Sequence, residues 1–211
     1  MRTQEQVNEI VRLLLAEYPE AVCSLDYGKD YELLFSVRLS AQCTDERVNM
    51  VTPALFAAYP TPEAMAKATS DEVFEYVKSV SYPRSKAEHL VQMAQRLVEA
   101  YDGQVPDNID DLQTLQGVGR KTANVVCAVI WNQPAMAVDT HIFRVSERLG
   151  LTTNSKNPLQ TEKALVQYIP ADIIPKAHHW LLLHGRYVCQ ARKPQCERCG
   201  LKEFCRFFHK K

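Results

Sequence analysis

The chain has 211 residues, of which 46% are apolar, and its formal net charge is zero. This length suits one large domain or two small ones, and the apolar content is enough for a buried core. Because no apolar run is long enough to span a membrane and residues 1–15 lack the layout of a signal peptide, a cytoplasmic protein is expected.

The zero net charge conceals an uneven distribution. Residues 1–110 contain 10 Lys and Arg residues against 18 Asp and Glu residues, whereas residues 111–211 contain 15 against 7. Such asymmetry indicates one cationic face, as a DNA-binding protein would need. A solvated basic half with no partner is the alternative, and charge by itself does not exclude it.

Apolar spacing and capping residues predict helices along almost the whole chain. A first helix ends before Pro19, a second covers residues 33–39, and Thr44 caps a third. Later helices are predicted to begin at Thr61-Pro62, Ser70, Pro83 and Pro106, and to cover residues 121–130, 140–149, 158–168 and 171–184. Strand signals are weak, so the predicted fold class is all-α.

A glycine turn separates the helix after Pro106 from the helix at 121–130. The turn and the start of the following helix contain Gly117, Val118, Gly119, Arg120, Lys121 and Thr122. Glycine permits positive φ and close approach of a ligand, and a helix N-terminus offers N–H groups and a positive dipole end. The segment therefore predicts an anion site that a DNA phosphate would suit. An ordinary helix connection is the alternative, which the glycines alone would favour.

Four of the seven cysteines lie within 17 residues, with six, two and five residues between them; they are Cys189, Cys196, Cys199 and Cys205. Clustered thiols in a cytoplasmic chain favour a metal centre over disulfides. Their count suits zinc and a [4Fe–4S] cluster equally. Since only one pair has CxxC spacing, iron–sulfur is favoured and zinc is the weaker alternative. The basic loop between the first two cysteines offers Arg192 and Lys193 as phosphate contacts.

Several segments together resemble the endonuclease III family of DNA glycosylases. Residues 115–124 resemble its helix-hairpin-helix, and residues 138–145 resemble its catalytic-aspartate segment. The cysteine spacing resembles its [4Fe–4S] loop, and residues 39–45 and 178–189 resemble further family segments. The resemblance covers essentially the whole chain.

The resemblance implies a two-lobed, all-α helix-hairpin-helix DNA glycosylase fold with a C-terminal [4Fe–4S] loop. Residues 23–135 would form a helical barrel domain, and residues 1–22 with 136–211 a second helical domain carrying the cluster. Lys121 and Asp139 would lie in the cleft between them. The implied partner is double-stranded DNA with damaged bases or abasic sites, bound by a monomer that is nucleoid-associated if bacterial.

The implied activity is that of a bifunctional glycosylase and AP lyase acting on oxidised pyrimidines. Lys121 would be the nucleophile, and it attacks only when uncharged. The helix N-terminus, the adjacent Arg120 and partial burial would favour the neutral amine. Asp139 would stabilise positive charge on the sugar or accept a proton, and it would also cap the next helix. Without the family, a phosphate-contacting lysine and a simple cap would be preferred.

The resemblance also implies DNA contacts. Gln42 is the family's candidate for filling the hole left by an extruded base, and Arg144 and Arg186 are candidate backbone contacts. The sequence departs from the family pattern at two places. Gln116 stands where the family usually has a proline. Ser81-Tyr82-Pro83 replaces a glycine, an apolar residue and an aromatic residue in the loop that helps to wedge the opposite strand. Pro83 is expected to hold Tyr82 in an extended geometry.

Two other functions are compatible with parts of the pattern. A monofunctional adenine glycosylase of the same superfamily shares the cluster, but it has no need of Lys121. A non-catalytic module that binds DNA structures would use the same glycine turn, but it has no need of Asp139.

Overall fold

A computed structural model describes residues 2–209 and contains no β-strand in that range, which confirms the all-α prediction. No helix among these residues is long and apolar enough to cross a membrane. The chain divides into two compact units. One is formed by residues 23–131, and the other by the residues up to 22 together with those from 132 onward.

Residues 2–209 form twelve α-helices and two short 3-10 turns at Cys196–Arg198 and Lys202–Phe204. In chain order the α-helices are α1 (Gln4–Glu17), α2 (Asp30–Leu39), α3 (Asp45–Ala58), α4 (Pro62–Ala66), α5 (Ser70–Val77), α6 (Pro83–Tyr101), α7 (Ile109–Leu112), α8 (Arg120–Trp131), α9 (Thr140–Leu149), α10 (Pro158–Tyr168), α11 (Ile174–Tyr187) and α12 (Arg206–His209).

The unit of residues 23–131 is built around α2. This helix packs against α3, α6 and α8, and Leu33, Leu34 and Phe35 are fully buried. A helix that buries consecutive positions has no solvated face, which places it in the core. The long helix α6 contacts α4, α5 and α2.

The other unit packs α1 and α9 against α11, with α10 and α12 on α9. Its core includes Ile10, Ile142, Val145 and Trp180, all of which are buried. The last four helical residues and the cysteine segment follow α11 and return to this core. The cysteine loop therefore packs on the same core as α9, the helix that begins after Asp139.

The predicted helices differ from the observed ones mainly at their ends. Helices α9 and α10 have the predicted bounds, whereas α7 has only four residues. It is short because the chain leaves the helix through consecutive turns, in which Thr114 N–H donates to Asp111 O and Leu115 N–H donates to Leu112 O. These turns deliver the chain to the glycine segment.

Candidate active site and cluster site

The glycine turn before α8 is closed by local hydrogen bonds and anchored by buried side chains. Val118 N–H donates to Leu115 O at 3.1 Å, and both side chains are buried. Gly117 has φ +77°, which is the left-handed conformation that favours glycine, and Gly119 has open space on its side-chain face. Since α8 starts at Arg120, its positive end and first N–H groups follow the turn at once.

Lys121 is the second residue of α8 and is exposed. The sequence predicts partial burial of Lys121, whereas its side chain is exposed in the structure. The reason is helical phase: the buried face of α8 is formed by Ala123, Val126 and Cys127, and Lys121 points away from it. The N-terminus of α8 and Arg120 are the positive groups beside Lys121 along the chain.

Arg38 and His89 lie directly beneath Gly117. Nη2 of Arg38 lies 2.6 Å from His89 Nδ1, and Nε of Arg38 donates to the same nitrogen at 3.2 Å. Burial, followed by the Arg38 charge, lowers the pKa of His89, and burial lowers the pKa of Arg38. A neutral imidazole can accept from the guanidinium, so this pair supports the turn from α2 and α6 without placing a second proton on His89.

The two glycines allow the fold and the DNA site to be tested separately. A Cβ on Gly117 would lie 2.5 Å from Arg38 Nε, in addition to the strain of positive φ. Gly117→Ala is therefore expected to lower the free energy of unfolding by about 1–3 kcal/mol. A Cβ on Gly119 would have no atom within 4 Å, so the free energy of unfolding of Gly119→Ala, measured by chemical denaturation, should be nearly unchanged. The affinity of this variant for abasic DNA should fall. Equal stability of the two variants would contradict this description of the turn.

Asp139 caps α9 as predicted. Its Oδ1 accepts from Ile142 N–H at 2.8 Å, and the residue is half-buried with an extended backbone. The preceding Val138 is buried and fixes the chain at this point. The cap orients the carboxylate through Oδ1, and a carboxylate has a second oxygen with which to face positive charge.

Gln42 and Tyr82 share an unusual backbone conformation, with φ values of 55° and 53°. Both side chains are exposed, Tyr82 to 66%. The extended geometry expected for Tyr82 is wrong: its ψ is 51°, which is left-handed. The physical reason is that Ser81 is tied to Gln42 O at 2.7 Å while Pro83 already begins α6, so one residue must reverse the chain.

The four clustered cysteines line a single, largely apolar cavity at the end of α11. The lining also includes Leu149, Val188, Phe207 and Phe208. No three His, Cys, Asp or Glu side chains among residues 2–209 are grouped as ligands of a single metal ion. Four thiols line this one cavity, and four thiolates are the donor set of an iron–sulfur cluster.

Tyr18 and His184 form a hydrogen-bonded chain to one of these thiols. Burial, followed by Glu17 and Cys199, raises the pKa of Tyr18 to about 12, and burial lowers the pKa of His184 to about 4. The protonated tyrosine lies 3.3 Å from His184 Nδ1 and can donate to it. Nδ1 is then the acceptor, so Nε2 carries the proton and can donate to Cys199 Sγ at 3.6 Å.

Two arginines of α9 hold the cysteine loop. Arg144 donates to Cys189 O at 3.1 Å and to Gly185 O at 2.9 Å, so its contacts favour a supporting role over the proposed DNA contact. Arg148 donates to Gln190 O at 2.8 Å and to Ala191 O at 2.9 Å. Sequence reasoning missed Arg148, because a basic residue in the last turn of a helix is also explained by the helix dipole.

The proposed basic contacts of the cysteine loop are exposed. Arg192 and Lys193 lie between the first two cysteines, and Arg186 lies in the last turn of α11. With the loop fixed by Arg148 and by the cysteines, Arg192 and Lys193 are held outward. This arrangement is compatible with contact to a phosphate backbone, and the contact itself stays a prediction.

The cysteine assignment predicts a coloured protein with about four irons and four sulfides per chain. Cys199→Ser should lose most of the iron, the sulfide and the broad visible absorbance, because one ligand position then lacks a thiolate. The matched control is Cys43→Ser, which changes a half-buried cysteine outside the cavity and should keep the cluster. Colourless wild-type protein with one zinc per chain would contradict the assignment.

Two protein-family models match the chain. Residues 35–171 match the model described as HhH-GPD superfamily base excision DNA repair protein. Residues 189–205, the cysteine loop, match the iron–sulfur binding domain of endonuclease III. The first match spans the glycine turn, Lys121 and Asp139, and the second begins and ends at the outer cysteines.

Known proteins of similar length give a consistent result. The chain is 42% identical to endonuclease III of Rickettsia felis over 203 residues, covering 96% of this chain and 95% of the relative. It is 41% identical to endonuclease III of Escherichia coli over 202 residues, with the same coverage.

Solved structures agree with these relatives. A trapped endonuclease III–DNA covalent intermediate superposes with a TM-score of 0.93 at 40% identity, over 100% of this chain and 99% of that one. A thermostable thymine-DNA glycosylase shares the fold at 22% identity, with a TM-score of 0.89 over 98% of each chain.

Proposed function

The chain belongs to the endonuclease III family of base excision DNA repair proteins, and from this we propose that it is a bifunctional DNA glycosylase and AP lyase removing oxidised pyrimidines from duplex DNA. The observation that carries the proposal is the position of Lys121. An exposed lysine follows the glycine turn at the N-terminus of α8, where a phosphate would sit beside its amine.

The proposed reaction needs an extruded nucleotide, because the sugar C1′ of a stacked base pair is out of reach. The neutral amine of Lys121 attacks C1′, the bond to the damaged base breaks, and the base leaves with the electron pair and a proton. The nitrogen lone pair then breaks the C1′–O4′ bond, O4′ takes a proton as the sugar ring opens, and the Schiff base that forms makes the C2′ proton acidic. Loss of that proton to a base expels the 3′ phosphate by β-elimination, which cleaves the strand.

Asp139 supports this sequence as a carboxylate held in place by its cap. It would stabilise the positive charge that develops on the sugar as the base departs, or accept a proton in a later step. We propose that it acts on the same nucleotide as Lys121. A site that only bound phosphate would have no need of a carboxylate.

We propose that the cluster has a structural role. Residues 189–205 are an iron–sulfur binding domain, and we propose Cys189, Cys196, Cys199 and Cys205 as the ligands of a [4Fe–4S] cluster. When bound, the cluster would cross-link the loop through the four cysteines. The chain's own residues then present Arg192 and Lys193 to the DNA backbone. We further propose that the protein works as a monomer in the cytoplasm, on the nucleoid if the source is bacterial.

The proposal is tested with a panel of duplexes, each with one oxidised pyrimidine, an adenine opposite oxidised guanine, or an abasic site. Release of oxidised pyrimidines, strand cleavage, and a covalent complex after borohydride reduction are expected together. Adenine release without strand cleavage would instead identify a monofunctional adenine glycosylase. Tight binding with no turnover on any duplex would identify a non-catalytic module.

A further inference from the structure

Lys86 is a buried cation that connects the two loops carrying Gln42 and Tyr82. It lies in the first turns of α6 and is only 1% exposed. Burial lowers the pKa of its ammonium, as expected where water is excluded. Neither the lysine reaction nor the cluster uses this residue, so a buried charge of this kind needs another explanation.

All three N–H donors of the Lys86 ammonium have acceptors. Nζ donates to Leu39 O and Ala41 O, each at 2.7 Å, and to Ser81 Oγ at 3.1 Å. The two carbonyls lie at the C-terminal end of α2, which has unpaired carbonyls and the negative end of a helix dipole. These carbonyls and the negative end of the helix dipole offer favourable contacts to a cation.

Ser81 extends the connection to the second loop. Its Oγ accepts from Lys86 and lies 2.7 Å from Gln42 O, to which it donates. Gln42 is the residue after Ala41, and Tyr82 is the residue after Ser81. The network thus fixes the backbone immediately beside both left-handed residues, whose side chains point into solvent.

We propose that Lys86, with Ser81, is a positioning residue that sets the spacing between Gln42 and Tyr82, so that both side chains can enter a duplex at one lesion. The inference rests on the proposed function and on the roles that the family resemblance implies, with Gln42 filling the space of the extruded base and the loop of Tyr82 wedging the opposite strand. Serine at position 81 adds a hydroxyl link that the glycine typical of this family segment does not have. The spacing of the two loops therefore depends on Ser81, a position at which this chain departs from the family pattern.

The test uses the cluster-loaded, full-length protein and measures single-turnover cleavage of abasic DNA. The substrates are one single strand and four duplexes that differ in the base opposite the abasic site. A single strand has no partner strand to wedge and no orphaned base to contact. Lys86→Met is expected to slow duplex cleavage about tenfold, with single-strand cleavage nearly unchanged, because a misplaced loop affects only duplex recognition.

Ser81→Ala provides a milder change that keeps the ammonium and both carbonyl bonds. It should slow duplex cleavage about threefold and alter the spread of rates among the four opposite bases. Ser85→Ala is the matched control, because Ser85 is exposed on the same helix, and it should change none of these rates. If Lys86→Met does not fold, the cleavage rates of Ser81→Ala alone test the positioning role.

The outcomes separate this inference from the function on which it rests. Wild-type protein that cleaves no abasic substrate would reject the proposed function. Active wild-type protein together with a Ser81→Ala variant that keeps the full duplex rates and the same opposite-base spread would overturn the positioning role. A uniform fall of all five rates in folded Lys86→Met would overturn it as well, since that result describes a general loss of activity and not a loss of duplex recognition.

Discussion

Replacing Lys121 with alanine is expected to abolish strand cleavage at abasic sites and covalent trapping by borohydride. The loss should reach at least about a thousandfold, because removal of a nucleophile leaves only binding and charge effects to accelerate the reaction. Single-turnover cleavage of an abasic duplex measures it. Since Lys121 is exposed, the free energy of unfolding should change by less than about 0.5 kcal/mol.

The matched control for this variant is Lys67→Ala, which removes an exposed lysine at the end of α4 in the same unit. It should keep both activity and trapping. Binding of abasic DNA by Lys121→Ala is expected to persist, since the glycine turn and Arg120 remain. Trapping of Lys121→Ala at the wild-type level would show that another amine attacks the sugar.

Asp139→Asn is expected to lower base release by about a hundredfold to ten-thousandfold, the range for loss of a positioned acid–base group. Asparagine caps a helix about as well as aspartate, so the bond from Ile142 N–H can be kept and stability should hold. Glycosylase rates on an oxidised-pyrimidine duplex and thermal unfolding are measured on the same preparation.

Asp139→Ala separates the cap from the chemistry. It removes both the charge and the cap, and it should cost about 1 kcal/mol of stability beyond the loss of activity. The two variants are expected to be similarly inactive, with only the alanine variant destabilised. An active Asp139→Asn beside an inactive Asp139→Ala would reduce Asp139 to a cap.

The parts of the fold that follow local rules could be predicted from the sequence. Asp139 can be predicted as a helix cap because aspartate favours N-caps and directly precedes residues 140–149, and α9 and α10 have the predicted bounds. The glycine turn could be located because its conformation depends on glycine itself, as φ +77° at Gly117 illustrates. These features depend on a few neighbouring residues.

Features that depend on distant contacts could not be predicted. The extended geometry expected for Tyr82 was wrong because Ser81 is tied to a loop some forty residues away, and the burial expected for Lys121 was wrong because of its phase on α8. Lys86 gave one overlooked signal: it is in phase with Leu90, Met93 and Leu97 on the apolar face of α6, which predicts a buried lysine. Its acceptors come from another helix and could not be inferred from spacing.

The central claim is that the amine of Lys121 forms the covalent bond to the sugar. The most direct measurement is mass spectrometry of the borohydride-reduced complex after digestion of the protein and the DNA. We expect the reduced deoxyribose adduct to lie on the peptide containing Lys121, with fragment ions that place it on that side chain. An adduct located on any other lysine or on the N-terminal amine would contradict the account.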